Sequence, residues 1–116
     1  MDTIRIVRRG LLANDKRGWY IFLHEGGKLW GEITDEIKKT HVLVERNVTP
    51  SIYSDLLLSL AALSPSNRSS PSLPLAVIKK QSKVYTTFQF DHKENYKTDS
   101  LEMRVLNILN SLNSFI

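Results

Sequence analysis

The chain has 116 residues, 41% of them hydrophobic and 24% charged, which fits one globular domain large enough to bury a core without staples. There is no cysteine, so zinc ribbons, iron–sulfur clusters, thiol nucleophiles and disulfide frameworks are excluded. The net charge of +4 is spread evenly over both parts of the chain; with no basic arm, it does not demand nucleic acid as a partner.

Thr3–Arg9 alternates, with Ile4 and Ile6 on one face and Arg5, Val7 and Arg9 on the other, which predicts a half-buried strand. Arg8-Arg9-Gly10-Leu11-Leu12 has the outline of a twin-arginine export signal, but only Leu11, Leu12 and Ala13 follow before Asn-Asp-Lys-Arg. That run is too short for the apolar region of a signal peptide, and no stretch reaches the length of a membrane span. The expected location is the cytoplasm. Residues 10–18 read as a polar connection.

Trp19–His24 (WYIFLH) is β-prone and apolar on both faces, which suits a central strand. Glu25-Gly26-Gly27-Lys28 supplies a hairpin turn, and Leu29–Ile33 returns. Thr34–Thr40 reads either as one helical turn capped by Thr34 or as a polar loop. His41–Val48 is a fourth strand, with Val42 and Val44 on one side and Leu43, Glu45 and Asn47 on the other.

Thr49 to Pro65 (TPSIYSDLLLSLAALSP) is a helix with Thr49 as N-cap and Pro50 at its first position. Ile52, Tyr53, Leu56, Leu57, Leu60 and Leu63 form a broad stripe, and Leu58, Ala61 and Ala62 extend it towards the back. A helix this apolar calls for cover on more than one side, by its own sheet and, as one option, by a second body.

Residues 64–74 hold five serines and three prolines and read as a mobile surface loop within a single domain of residues 1–116. Leu75–Lys80 and Val84–Asp91 are two further strands joined by Gln81-Ser82-Lys83. A last helix begins at Asp99, with Glu102 completing a capping box; Leu101, Val105, Ile108, Leu109 and Leu112 line its apolar face. Short turns between strands predict antiparallel pairing. The order β-β-β-β-α-β-β-α therefore predicts an α+β fold of two layers, a mainly antiparallel sheet of five to six strands with two helices on one face.

No catalytic or cofactor signature stands out. His24, His41 and His92 have no metal-ligand spacing, although a tertiary cluster of His24, His41 and Glu45 is an alternative. There is no nucleophile elbow, P-loop or dinucleotide fingerprint, and the expectation is a non-enzyme without cofactor or metal. The candidate binding residues are Arg5, Arg9, Arg17, Tyr20 and Trp30, with Leu58 on the back of the helix. Tryptophan, tyrosine and arginine are enriched at binding hot spots; sheet aromatics beside arginines also suit stacked bases. The competing reading places Trp19 and Phe22 in the core and leaves the arginines as solvated edge charges.

The Leu-rich TPSIYSDLLLSLAAL helix, the Ser/Pro loop after it and the VYTTFQFD strand resemble small bacterial immunity proteins of interbacterial toxin systems, and emfourin-like protease inhibitors. Emfourin-like proteins usually carry a double glycine after the first strand; Gly10-Leu11 stands here, and no functional residue carries over by position. The resemblance implies a small α+β domain without catalysis that blocks a toxin or enzyme by direct binding. A net basic inhibitor suits a partner with an acidic contact surface, which makes a nuclease toxin the poorer target. The alternatives are a small basic nucleic-acid-binding regulator and a homo-oligomeric structural protein whose apolar helix packs on its own copy.

Overall fold

The computed structural model describes residues 2–8, 17–35, 39–66 and 73–112; the side chains of Arg17, Trp19 and Asp35 stand outside that description. Six strands form one antiparallel sheet: β1 (Thr3–Arg8), β2 (Arg17–His24), β3 (Lys28–Asp35), β4 (Thr40–Asn47), β5 (Leu75–Gln81) and β6 (Val84–Phe90). The helices are α1 (Pro50–Ala61) and α2 (Leu101–Leu112), and a 3-10 turn covers Lys93–Asn95. The expected α+β architecture is the one observed.

Strand order is β4-β3-β2-β1-β5-β6. The first four strands run as consecutive neighbours. Helix α1 then carries the chain from the β4 edge back across the sheet, so that β5 pairs with β1 and β6 closes the far side. The pairing register places Val44, Gly31, Ile21, Ile6, Val77 and Phe88 in one row across the six strands. Side chains alternate along each strand, so this row and its neighbours Ile4, Leu23, Leu29, Leu75 and Phe90 share a face. All of those side chains are buried, in one core with Tyr53, Leu56 and Leu60 of α1 and Val105, Leu106, Leu109 and Leu112 of α2. Both helices therefore cover the same face of the sheet, and they touch each other.

The stripe expected on α1 holds. Tyr53, Leu56 and Leu60 are buried, Ile52, Leu57 and Leu63 pack against the core, and Leu58 on the back is 73% exposed. Thr49 occupies the N-cap position, but its side chain makes no capping bond. Its carbonyl instead accepts the Ile52 N–H at 3.0 Å. The second helix starts one residue later than the sequence suggests. Ser100, not Asp99, caps it: Ser100 Oγ accepts the Met103 N–H at 3.3 Å and donates to the Lys97 carbonyl at 2.7 Å. Leu106 joins the buried face, while Leu101, in the first turn, is 41% exposed.

Two glycines answer to the backbone. Gly27 has a φ of +90°, and a Cβ there would lie 2.3 Å from the Val48 carbonyl oxygen. That closeness lets the Gly27 carbonyl take the Val48 N–H at 2.8 Å, which ties the β2–β3 turn to the entry of α1. Gly31, in mid-strand, presses against β2, where a Cβ would stand 2.1 Å from the Tyr20 carbonyl oxygen.

Residues 36–38 lie outside the described residues, so the choice between helical turn and loop over Thr34–Thr40 falls there. The flanks are clear: β3 runs on to Asp35, and Lys39 enters β4 with a φ of 53°. Residues 67–72 of the Ser/Pro segment also lie outside. Its first part is tied down, because the Ser66 N–H donates to the Thr87 carbonyl at 2.8 Å and Ser66 Oγ accepts the Gln89 N–H at 3.0 Å.

Candidate partner-binding face

Turning each strand over exposes the other side of the sheet, which neither helix covers. The residues opposite the core row form a second row: Glu45, Trp30, Phe22, Arg5, Ile78 and Thr87, one from each strand in spatial order. Tyr20 and His24 flank Phe22 along β2, and Leu43 and Glu32 occupy the next row beside Glu45 and Trp30. This is a polar-aromatic surface laid on a rigid sheet.

The rings are organised against one another. Phe22 stacks on Trp30 with centroids 4.4 Å apart and planes 18° from parallel. Tyr20 meets Phe22 edge-on at 5.1 Å. Both are favoured aromatic geometries. The Arg5 guanidinium lies 4.4 Å from the centre of the Tyr20 ring and 5.9 Å from that of Phe22, a cation over aromatic faces. Arg5 Nε is buried and has no hydrogen-bond partner among the described residues, and the two rings pack against the guanidinium.

At the other end of the stack, Trp30 Nε1–H donates to His24 Nε2 at 2.8 Å. An imidazole nitrogen that accepts is unprotonated, so the His24 proton sits on Nδ1. Burial pushes the His24 pKa below its ordinary 6.5, and the neighbouring Lys28 ammonium adds to that effect. Two exposed pairs frame the face on the β3–β4 side. Lys28 Nζ stands 3.2 Å from Glu45 Oε1, and His41 Nε2 stands 3.0 Å from Glu32 Oε2. A hollow between β3 and β4 is lined by Lys28, Trp30, Leu43 and Glu45.

Of the six residues singled out from the sequence, Arg5, Tyr20 and Trp30 come together on this face. Leu58 does not join them; it lies on the outer side of α1, across the sheet from them. Arg9 is outside the described residues, and only the backbone of Arg17 is described, within β2. Phe22, which one reading assigns to the core, instead stacks under Trp30 on the uncovered face. The register of β2 carries the signal for this: Trp19, Ile21 and Leu23 alternate with Tyr20, Phe22 and His24, so one of the two sets has to leave the core.

His24, His41 and Glu45 are not gathered. Each turns to a different neighbour, and among the described residues no three His, Asp or Glu side chains are arranged to hold a metal ion. Among the described residues no helix is long and apolar enough to cross a membrane.

What this arrangement offers is a packed row of aromatic rings with a cation at one end and a carboxylate at the other. It can cover an apolar or planar group while Arg5 meets an anionic one, at little conformational cost because the side chains are already ordered. A scan against protein-family models, a search of curated proteins and a search of solved structures find no match to this chain.

Proposed function

We propose that the chain is a non-enzymatic protein-binding module of the immunity or inhibitor kind, which neutralises a toxin or enzyme by occupying its surface. The observation that carries this reading is the uncovered sheet face, where Arg5, Tyr20, Phe22 and Trp30 stand pre-ordered outside the core. A fold that needs only one sheet face for its core has the other free for docking. Trp30 is the expected anchor, 42% exposed and held from below by Phe22. Arg5 supplies the charge, and together with the net +4 of the chain it favours an acidic contact surface on the partner. The mechanism is steric: the row of sheet aromatics and Arg5 seals a cleft or holds a moving element open. Under this reading the chain acts in the cytoplasm of the producing cell, the location expected from its sequence.

Affinity capture from the native cell, run in parallel with the wild type and with a Trp30→Ala/Arg5→Ala double variant, tests this. One protein captured by the first and lost by the second supports the proposal. Equal capture by both moves the binding elsewhere. Turnover of a small molecule by the purified chain would remove the proposal altogether.

The stacked Phe22–Trp30 pair beside Arg5 also has the layout of a base-stacking platform, which favours a nucleic-acid-binding regulator as the second reading. Against it, the Lys28–Glu45 and His41–Glu32 pairs on the same face leave no continuous basic stripe among the described residues for a phosphate backbone to follow, whereas a protein contact needs only local charge matches. Retention of random DNA and RNA at two salt concentrations separates the two. Binding that weakens steeply with salt belongs to the regulator.

A further inference from the structure

The two edges of the sheet are treated differently. At the β6 edge the chain covers itself, through the bonds from Ser66 to Thr87 and Gln89. At the β4 edge the side-chain hydrogen bond to the strand's backbone comes from the strand itself, from Arg46 Nη1 to the carbonyl of Glu45 at 2.8 Å. β4 is eight residues long, THVLVERN, without lysine, proline or glycine to discourage pairing. Of its apolar residues Val44 is buried in the core, while Leu43 on the opposite face is 74% exposed and Val42 52%. An edge strand of this length, left without a covering element among the described residues and with Leu43 exposed at its middle, is a template for another strand.

We infer that β4 pairs antiparallel with β4 of a second copy of this chain, about a two-fold axis at Leu43, joining two sheets into one of twelve strands. The residue order selects that occupant and that register. A two-fold axis normal to the sheet keeps each face continuous, so only residues of the same face can oppose one another. With Leu43 opposite the partner's Leu43, His41 faces the partner's Glu45, Val42 faces the partner's Val44, and Thr40 faces the partner's Arg46. Apolar meets apolar, and imidazole meets carboxylate. Slipping by two residues either way sets Leu43 against the partner's Glu45 or the partner's His41, loses the imidazole–carboxylate match and leaves a single valine pair as the apolar match. In the favoured register His41 stands between Glu32 of its own chain, 3.0 Å away, and the partner's Glu45. Cross-strand pairs of these kinds are the unit of sheet stabilisation.

The pairing also extends the binding face. The row Arg5–Phe22–Trp30–Glu45 continues into the partner's His41 and the partner's Thr34, and the hollow beside Trp30 and Leu43 gains a second wall. The dimer presents two aromatic ledges on one continuous surface.

Light scattering on the full chain over micromolar to millimolar concentrations tests this. The mass is expected to rise from the 13.3 kDa of the monomer towards twice that value. Leu43→Lys and Leu43→Glu should each hold the mass at the monomer, because each sets like charges opposite one another. An equal mixture of the two should restore the dimer, because residue 43 then meets its opposite charge. The Leu43 side chain is exposed, so both variants should keep the circular dichroism of the wild type. Hydrogen exchange on the wild type gives an independent reading, with slowed exchange at residues 40–46 as the dimer forms. A wild type that stays monomeric overturns the inference. So does a dimer that survives both single variants, a mixture that stays monomeric, or protection that falls on α1 instead.

Discussion

Gly31→Ala sets two opposed effects against each other, and the geometry decides between them. Alanine in place of glycine stabilises a strand by about 0.5–1 kcal/mol through the entropy of the unfolded chain. Against this, the new methyl group would stand 2.1 Å from the Tyr20 carbonyl oxygen and 2.9 Å from the Ile21 Cα. The first distance is more than an ångström short of ordinary contact, and both opposing atoms are backbone. No rotamer can relieve the clash, so β2 and β3 must move apart, and overpacking of this kind costs about 1–3 kcal/mol. The loss lies at the upper end of that range, because hydrogen bonds of the β2–β3 ladder stretch with it. We expect a net destabilisation of about 2 kcal/mol, the clash outweighing the entropy gain. Urea unfolding followed by far-ultraviolet circular dichroism measures it, and an unchanged m-value would assign the effect to the native state. The near-ultraviolet spectrum should change as well, since Phe22 and Trp30 sit beside the strands that separate. A neutral or stabilising Gly31→Ala would refute the close approach of β2 and β3 at this point.

Three further outcomes follow from single contacts. The Tyr53 hydroxyl is buried without a hydrogen-bond partner among the described residues, and burial, with Asp2 and Glu25 nearby, raises its pKa. Tyr53→Phe is therefore expected to be neutral or up to about 1 kcal/mol stabilising in urea unfolding; a clear loss would contradict that reading of the site. Ser100→Ala removes the α2 cap and should cost about 1 kcal/mol, with Asp99→Ala costing less, measured by the same method. His24 has a folded pKa below its ordinary 6.5. Its contribution to stability is then fully present above pH 6.5 and is lost as pH falls through the lowered folded value. Protonated His24 cannot accept from Trp30, so Trp30 fluorescence should titrate below pH 6.5 in the wild type and not in His24→Gln.

Much of the fold is legible in the residue order because local rules and tertiary packing agree. The period of two in Val84–Phe90, the Gly-rich turn at 25–27 and the Thr49-Pro50 entry to α1 each point to the element observed. The cap of α2 is less legible, since Asp99 and Ser100 are both good N-caps and the spacing to Glu102 favours the wrong one. The reach of Ser100 Oγ to the Met103 N–H settles it. The binding face is only half legible. Arg5, Tyr20 and Trp30 stand out by residue type, and pairing of the sequential strands β1 and β2 sets Arg5 beside Phe22, but Ile78 on its other side requires that β1 insert between β2 and β5. The β1–β5 pairing joins residues about seventy apart in the chain, from Arg8 with Leu75 to Thr3 with Lys80, and no local pattern encodes it. Phe22 is ambiguous for a related reason. A central strand apolar on both faces looks the same whether its second face is covered by helices or left open for a partner.

The account stands or falls on whether the helix-free face is the one that binds. The direct measurement is the equilibrium affinity of the captured partner for the wild type, for Trp30→Ala and for Leu58→Asp, the last altering the exposed back of α1. Loss of a central aromatic anchor typically costs about 2 kcal/mol or more, so Trp30→Ala should weaken binding at least about thirtyfold while Leu58→Asp leaves it within about twofold. The reverse pattern, with Leu58→Asp destroying binding and Trp30→Ala leaving it intact, would move the interface to the helix layer and contradict the central claim.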